Sequence, residues 1–182
     1  MVQVFKIEQT KILKTLRAFR CSDSVDSSIQ FKDSSGKTFQ LSDFKGKVLL
    51  VVNIASKCGF APQLKSLNEL HEKYHHKGLE ILVFPSNDFN QEPLEGNEMQ
   101  AFCEINYGLQ FKVMEKCHVK GNQQHPLFQY LSSRSEHKKF TLSPLWNFQK
   151  YLVDKKGRLV DFYLPITSPT SKHIVRKMEK LL

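Results

Sequence analysis

The segment KVLLVVNIA at 47–55 is apolar on both faces, the pattern of a strand covered from both sides. LEILVFPS at 79–86 repeats it. Between these runs Leu64, Leu67, Leu70 and Tyr74 recur every three to four residues, with Pro62 suited to the first helical position and Gly78 to the stop. Strand, helix and strand with short joints predict a βαβ unit with two parallel neighbours.

Weaker patterns fill the rest. IQFKDSSGKTFQL at 29–41 alternates around a turn at 33–36, a hairpin signal. Residues 97–106 read as a helix with Gly108 just past its end, and Pro126 opens another helix through Leu131. NFQKYLVD and RLVDFYL flank DKKG at 154–157, the clearest hairpin of the chain. Ile174, Val175, Met178, Leu181 and Leu182 make one face of a terminal helix introduced by SPTS at 168–171. Helices alternate with strands, so the class is α/β, with one domain over 29–182 and an extension over 1–28.

Composition agrees with one closed core: 182 residues, 40% of them hydrophobic. No window is apolar enough to span a membrane, and no secretory signal is visible. The net charge is +9, of which residues 1–20 carry +4, from five cations against Glu8 alone. The remaining charge is spread thinly, with no basic stripe interleaved with aromatics, which argues against nucleic acid as a partner. In the extension Phe5, Ile12, Leu16 and Phe19 share one helical face opposite Lys6, Lys11, Lys14 and Arg17. That is the look of a transit peptide. The expected location is therefore cytoplasmic, or mitochondrial if residues 1–20 act as a targeting segment.

Cys21, Cys58, Cys103 and Cys117 form no C-x-x-C pair and are too sparse for a disulfide scaffold. Cys117-His118 lacks a second pair with metal-ligand spacing, so no metal is expected. Cys58 stands out by position. It follows a buried strand and precedes the helix after it, where open α/β sheets bind ligands. Unpaired N–H groups at a helix start, with Lys57 alongside, favour a thiolate over a thiol.

The segment NIASKCGF at 53–60 resembles the active-site segment of the glutathione peroxidase family. FPSNDFNQEP at 84–93 resembles the second motif of that family, and PLWNF at 144–148 the third. FCEINYGLQF and VKGNQQHPLF fall between them in the family's order. The resemblance runs from about residue 29 to the C-terminus. It implies a thioredoxin-like fold, a central mixed β-sheet flanked by helices, and an antioxidant thiol peroxidase acting in the response to oxidative stress, without a cofactor.

Carried over by residue, the resemblance makes Cys58 the peroxidatic position and Trp146 and Asn147 its partners. The second motif departs from the family: Asp88 stands where a Gln is usual. A Gln amide can donate to a thiolate, whereas an ionised carboxylate only accepts and opposes it by like charge. Asp88 is therefore protonated, or turned elsewhere, or engaged with the peroxide. The motif is also one residue shorter than usual between Phe89 and Gln91, which leaves Gln91 as the alternative amide.

Cys103 resembles the resolving cysteine of the thioredoxin-dependent, two-cysteine branch, which implies a Cys58–Cys103 disulfide redox cycle. Cys21 and Cys117 match no family position and read as structural, and Ser86 replaces the family's other common cysteine. The short connection between Leu131 and Trp146 lacks the longer subunit-contact loop of tetrameric, glutathione-using members. The resemblance thus implies a monomer that reduces hydrogen peroxide and lipid hydroperoxides, with thioredoxin or glutathione as reductant. The competing reading is a peroxide sensor that relays oxidation to a partner protein.

Overall fold

The computed structural model describes residues 28–133 and 140–182. The extension expected over 1–28 lies, apart from Ser28, outside the described residues. A short hairpin, β1 (Gln30–Lys32) and β2 (Thr38–Gln40), opens the domain. Its turn is closed by Asp33 Oδ1, which accepts from the backbones of Ser35 and Lys37 at 3.0 Å each. Then follow β3 (Val48–Ile54), α1 (Gln63–Tyr74), β4 (Leu79–Pro85), α2 (Gly96–Tyr107), α3 (Pro126–Ser132), β5 (Lys150–Val153), β6 (Leu159–Tyr163) and α4 (Lys172–Glu179).

The main sheet has the order β4-β3-β5-β6. β3 and β4 run parallel, with Val48 opposite Leu79 and Ile54 opposite Pro85. β5 joins β3 antiparallel, and β6 joins β5 antiparallel. The sheet is mixed, as the βαβ unit followed by a hairpin requires.

Every residue of β3 is buried, because the sheet is covered on both faces. On one face Leu50, Val52 and Ile54 pack with Leu64 and Leu67 of α1, Met99 and Cys103 of α2, and Ile174 and Met178 of α4. On the other, Leu49 and Val51 pack with Leu127, Phe128 and Leu131 of α3 and with Phe31 of the first hairpin. Among the described residues no helix is long and apolar enough to cross a membrane.

Two boundaries differ from the sequence reading. α1 begins at Gln63 rather than at Pro62, which instead caps it. β5 begins only at Lys150, because the chain before it bends: Phe148 has φ +68°, in the left-handed region. A bulky side chain is an outlier there, and such conformations persist only where the surroundings impose them. Asn53 of β3 does so here. Its main-chain oxygen accepts the Phe148 N–H at 2.6 Å, its Nδ2 donates to Trp146 O at 3.1 Å, and its Oδ1 accepts from Gln149 N at 3.1 Å.

Candidate active site

β3 delivers the chain to Cys58 at its C-terminal end, and an irregular turn precedes α1. Cys58 N donates to Ala55 O at 3.4 Å, and Ala61 N to Cys58 O at 2.9 Å. The thiol is buried against Ala55, Ala61 and Leu64, with 5% of the residue exposed. The Phe60 N–H donates to its Sγ over 3.5 Å. That N–H is a main-chain donor aimed at the sulfur just ahead of the first turn of α1.

The bend that Asn53 enforces brings the third motif toward this turn. Asn147 is fully buried, and its Nδ2 donates to Gln91 Oε1 at 3.0 Å. Gln91 O accepts the Lys57 N–H at 3.0 Å. Gln91 therefore joins the turn that carries Cys58 to Asn147. The Asn147 Oδ1 is buried and has no hydrogen-bond partner among the described residues, which leaves it an acceptor for an S–H or a peroxide O–H. Trp146 is 41% exposed, and its ring packs on Phe89 with centroids 5.2 Å apart.

Asp88 goes elsewhere. Its Oδ1 lies 2.7 Å from His118 Nδ1, and its Oδ2 accepts from the backbones of Val119 at 2.7 Å and Lys120 at 3.1 Å. Burial pushes the carboxyl up, but the bonds from His118, Val119 and Lys120 outweigh it and hold the group below its ordinary value. Asp88 is thus ionised, not protonated, and both oxygens serve the turn at 118–120. The amide bonded to Asn147 is Gln91, the alternative left open by the shortened motif.

Cys103 lies on α2, fully buried in the same apolar cluster as Cys58. Both are free thiols. Burial pushes the Cys103 thiol up to about 12, with Glu92 and Glu104 adding to the shift. Cys117 is also free, half-buried, and pushed up to about 12 by burial and by Asp88 and Glu115. Among the described residues no cluster of three or more His, Cys, Asp or Glu is placed to hold a metal ion.

Sequence reasoning passed over two groups. Asn53 sits inside an apolar run, where a lone polar residue in a buried strand is itself the signal. Glu92 is fully buried, yet accepts from Ser56 N at 2.7 Å, Ser56 Oγ at 2.9 Å and Leu94 N at 3.0 Å. It ties the second motif to the residue two before Cys58.

The sequence model described as glutathione peroxidase matches residues 27–132. Among curated proteins, the glutathione peroxidase homolog BsaA of Halalkalibacterium halodurans is 51% identical over 136 residues, 74% of this chain and 86% of that protein. The glutathione peroxidase-like peroxiredoxin HYR1 of Saccharomyces cerevisiae is 41% identical over 151 residues, 82% of this chain and 91% of its own. The crystal structure of T. cruzi GPX1 superposes with a TM-score of 0.62 at 27% identity, covering 84% of this chain and 92% of that one. A putative thioredoxin from Neisseria meningitidis, with a TM-score of 0.57 at 19% identity and covering 84% of this chain and 85% of its own, shares the fold. On the family match and these identities, this thioredoxin-fold chain belongs to the glutathione peroxidase family and is an enzyme of its thiol peroxidase type.

Proposed function

We propose that Cys58 is the peroxidatic thiol and Cys103 the resolving thiol of a dithiol cycle completed by thioredoxin. The observation that carries this reading is the Phe60 N–H aimed at Cys58 Sγ, on a turn bonded through Gln91 to Asn147. The Cys58 thiolate attacks the terminal oxygen of a hydroperoxide, the O–O bond breaks, and the alkoxide or hydroxide leaves with a proton as alcohol or water. Cys58 then carries a sulfenic acid. The Cys103 thiolate attacks that sulfur, water departs, and a disulfide forms. A dithiol reductant returns both thiols and is itself oxidised.

Relatives named peroxidase and peroxiredoxin favour turnover over a relay to a partner protein. Glutathione is the competing reductant. Thioredoxin is preferred because a Cys58–Cys103 disulfide is the natural substrate of a dithiol, and the short connection between Leu131 and Trp146 fits a monomer. Steady-state peroxide consumption is measured with thioredoxin, thioredoxin reductase and NADPH, and separately with glutathione and glutathione reductase. Faster turnover with thioredoxin, abolished in Cys58→Ser and strongly reduced in Cys103→Ser, is expected. Turnover that survives Cys58→Ser overturns the assignment.

A further inference from the structure

Glu92, in the second motif, is fully buried. Three donors meet its two carboxyl oxygens. Oε2 accepts from Ser56 N at 2.7 Å, and Oε1 accepts both from Ser56 Oγ at 2.9 Å and from Leu94 N at 3.0 Å. A carboxyl taken out of water is destabilising unless its oxygens are bonded in this way. An apolar side chain closes a core as well or better, so stability alone gives no reason for an acid here.

The single oxygen Oε1 joins two segments. Ser56 stands two residues before Cys58. Leu94 stands two residues before α2, and its side chain packs against the apolar cluster that holds both Cys58 and Cys103. The attachment to the Cys58 turn is reinforced by the neighbouring main chain: Lys57 N donates to Gln91 O at 3.0 Å, and Glu92 N donates to Asn87 Oδ1 at 3.0 Å. The attachment to α2 is lighter. Besides Glu92, the run into that helix is held by Lys116, whose Nζ donates to Leu94 O at 3.3 Å and pairs with the exposed Glu95. A pair so open to water contributes little.

Glu92 also acts on the thiol of α2. Burial first, and then the Glu92 charge, push Cys103 up to about 12. Movement of α2 away from Glu92 relieves both.

We propose that Glu92 is the latch between the two thiol carriers, a positioning residue that fixes α2 to the Cys58 turn, and that release of the Leu94 N–H from Glu92 frees α2 for the Cys58–Cys103 disulfide. The inference rests on the reading of Cys58 and Cys103 as the reacting pair. With the latch closed, Cys103 stays buried while Cys58 meets peroxide on a turn held through Ser56. Once Cys58 carries a sulfenic acid, opening at Leu94 releases the start of α2 and leaves the Ser56 bonds in place. The Cys103 sulfur then attacks the Cys58 sulfur, the S–S bond forms as the S–O bond breaks, and the departing hydroxide leaves as water with the proton of the Cys103 thiol.

The test is Glu92→Gln. The amide oxygen keeps the Ser56 N–H and the amide nitrogen donates to Ser56 Oγ, but that same nitrogen opposes the Leu94 N–H. Hydrogen–deuterium exchange of the reduced variant is expected to be roughly 3- to 10-fold faster from Leu94 through α2, the weight of one hydrogen bond, with β3 and β4 unchanged. In single-turnover quench experiments the step from sulfenic acid to disulfide is expected to speed up by the same factor. Slow exchange in α2 or an unaccelerated disulfide step overturns the proposal. So does exchange that rises equally in β3 and β4, the mark of a structural role alone. A second measurement needs no substitution: the Leu94 amide of the native protein is followed before and after one equivalent of peroxide. It is expected to lose protection together with α2, and protection retained in the disulfide form overturns the proposal. Exchange in the reduced protein involves no thiol chemistry, and turnover of Cys103→Ser is read separately, so an error in the thiol pair is not confused with an absent latch.

Discussion

Asn147 donates its side-chain amide to Gln91 Oε1 at 3.0 Å, while the main chain of Gln91 holds Lys57, the neighbour of Cys58. Two segments 56 residues apart in sequence thereby meet at the thiol-bearing turn. The pair acts as a unit, because each amide orients the other.

Gln91→Ala and Asn147→Ala are each expected to slow the reaction of Cys58 with peroxide by about 10- to 100-fold, the range for loss of one aimed polar group at a reacting centre. The double variant should be little slower than the worse single one, since groups acting together are not additive. Stopped-flow peroxide consumption by the reduced protein measures all three. Multiplying effects would show that the two amides work independently.

Asp88 has a structural task, so Asp88→Asn should leave the peroxide rate within about threefold. Its effect falls on stability. Hydrogen bonds to a charged acceptor contribute about 1.5–3 kcal/mol each, and the Asn side chain keeps one oxygen for the turn at 118–120, so a loss of roughly 1 to 3 kcal/mol is expected. The folded group titrates below its unfolded value, and that contribution is full above the unfolded value and fades as pH falls through the folded one. Urea unfolding at pH 7 and pH 3 should therefore show the native protein losing more stability on acidification than the variant does.

The elements were legible where one periodicity dominates. The buried runs around β3 and β4 and the stripe of α1 leave no choice of face. The bend at Phe148 was not legible, because its cause is Asn53, distant in sequence, and a strand pattern carries no sign of a partner's side chain. Asp88 and Gln91 show the same limit at the site. The short motif made both candidates, and only the donors of His118, Val119 and Lys120 decide which of them the turn claims. Lys150 reads in sequence as a charge at the end of a strand. Its burial follows from the loop at 165–167, which has no periodic pattern of its own.

Cys103 illustrates a separate constraint, since a thiol pushed up to about 12 is a poor nucleophile while it stays buried. Its helix, α2, is held at both ends. The structure closes the first with a capping box between Glu95 and Glu98, and the last with Gly108 at φ +63°. Because Cys103 is fully buried, α2 is expected to open before that thiol reacts. In the reduced protein Cys103 should alkylate far more slowly than Cys58, and one equivalent of peroxide should yield a Cys58–Cys103 disulfide with faster amide exchange across α2. Exchange that stays slow while the disulfide forms would remove the opening step.

Lys150, fully buried at the start of β5 with its Nζ donating to the carbonyls of Pro165 and Thr167, sets a stability signature with a definite sign. Burial pushes its folded value down to about 7, below the ordinary lysine value of 10.5. Between these limits the unfolded chain holds a proton that the folded protein has lost, so this group makes stability rise with pH, by at most about 1.4 kcal/mol per pH unit. Below the folded value both states are protonated and the burial penalty stands in full. Lys150→Met removes the penalty, and it should be at least as stable as the native protein at pH 7. Raising the pH from 7 to 9 should stabilise the native protein by about 2 kcal/mol relative to the variant. Urea unfolding of the two reduced proteins at both values measures the difference, and parallel stability curves would mean that Lys150 keeps its proton throughout the range.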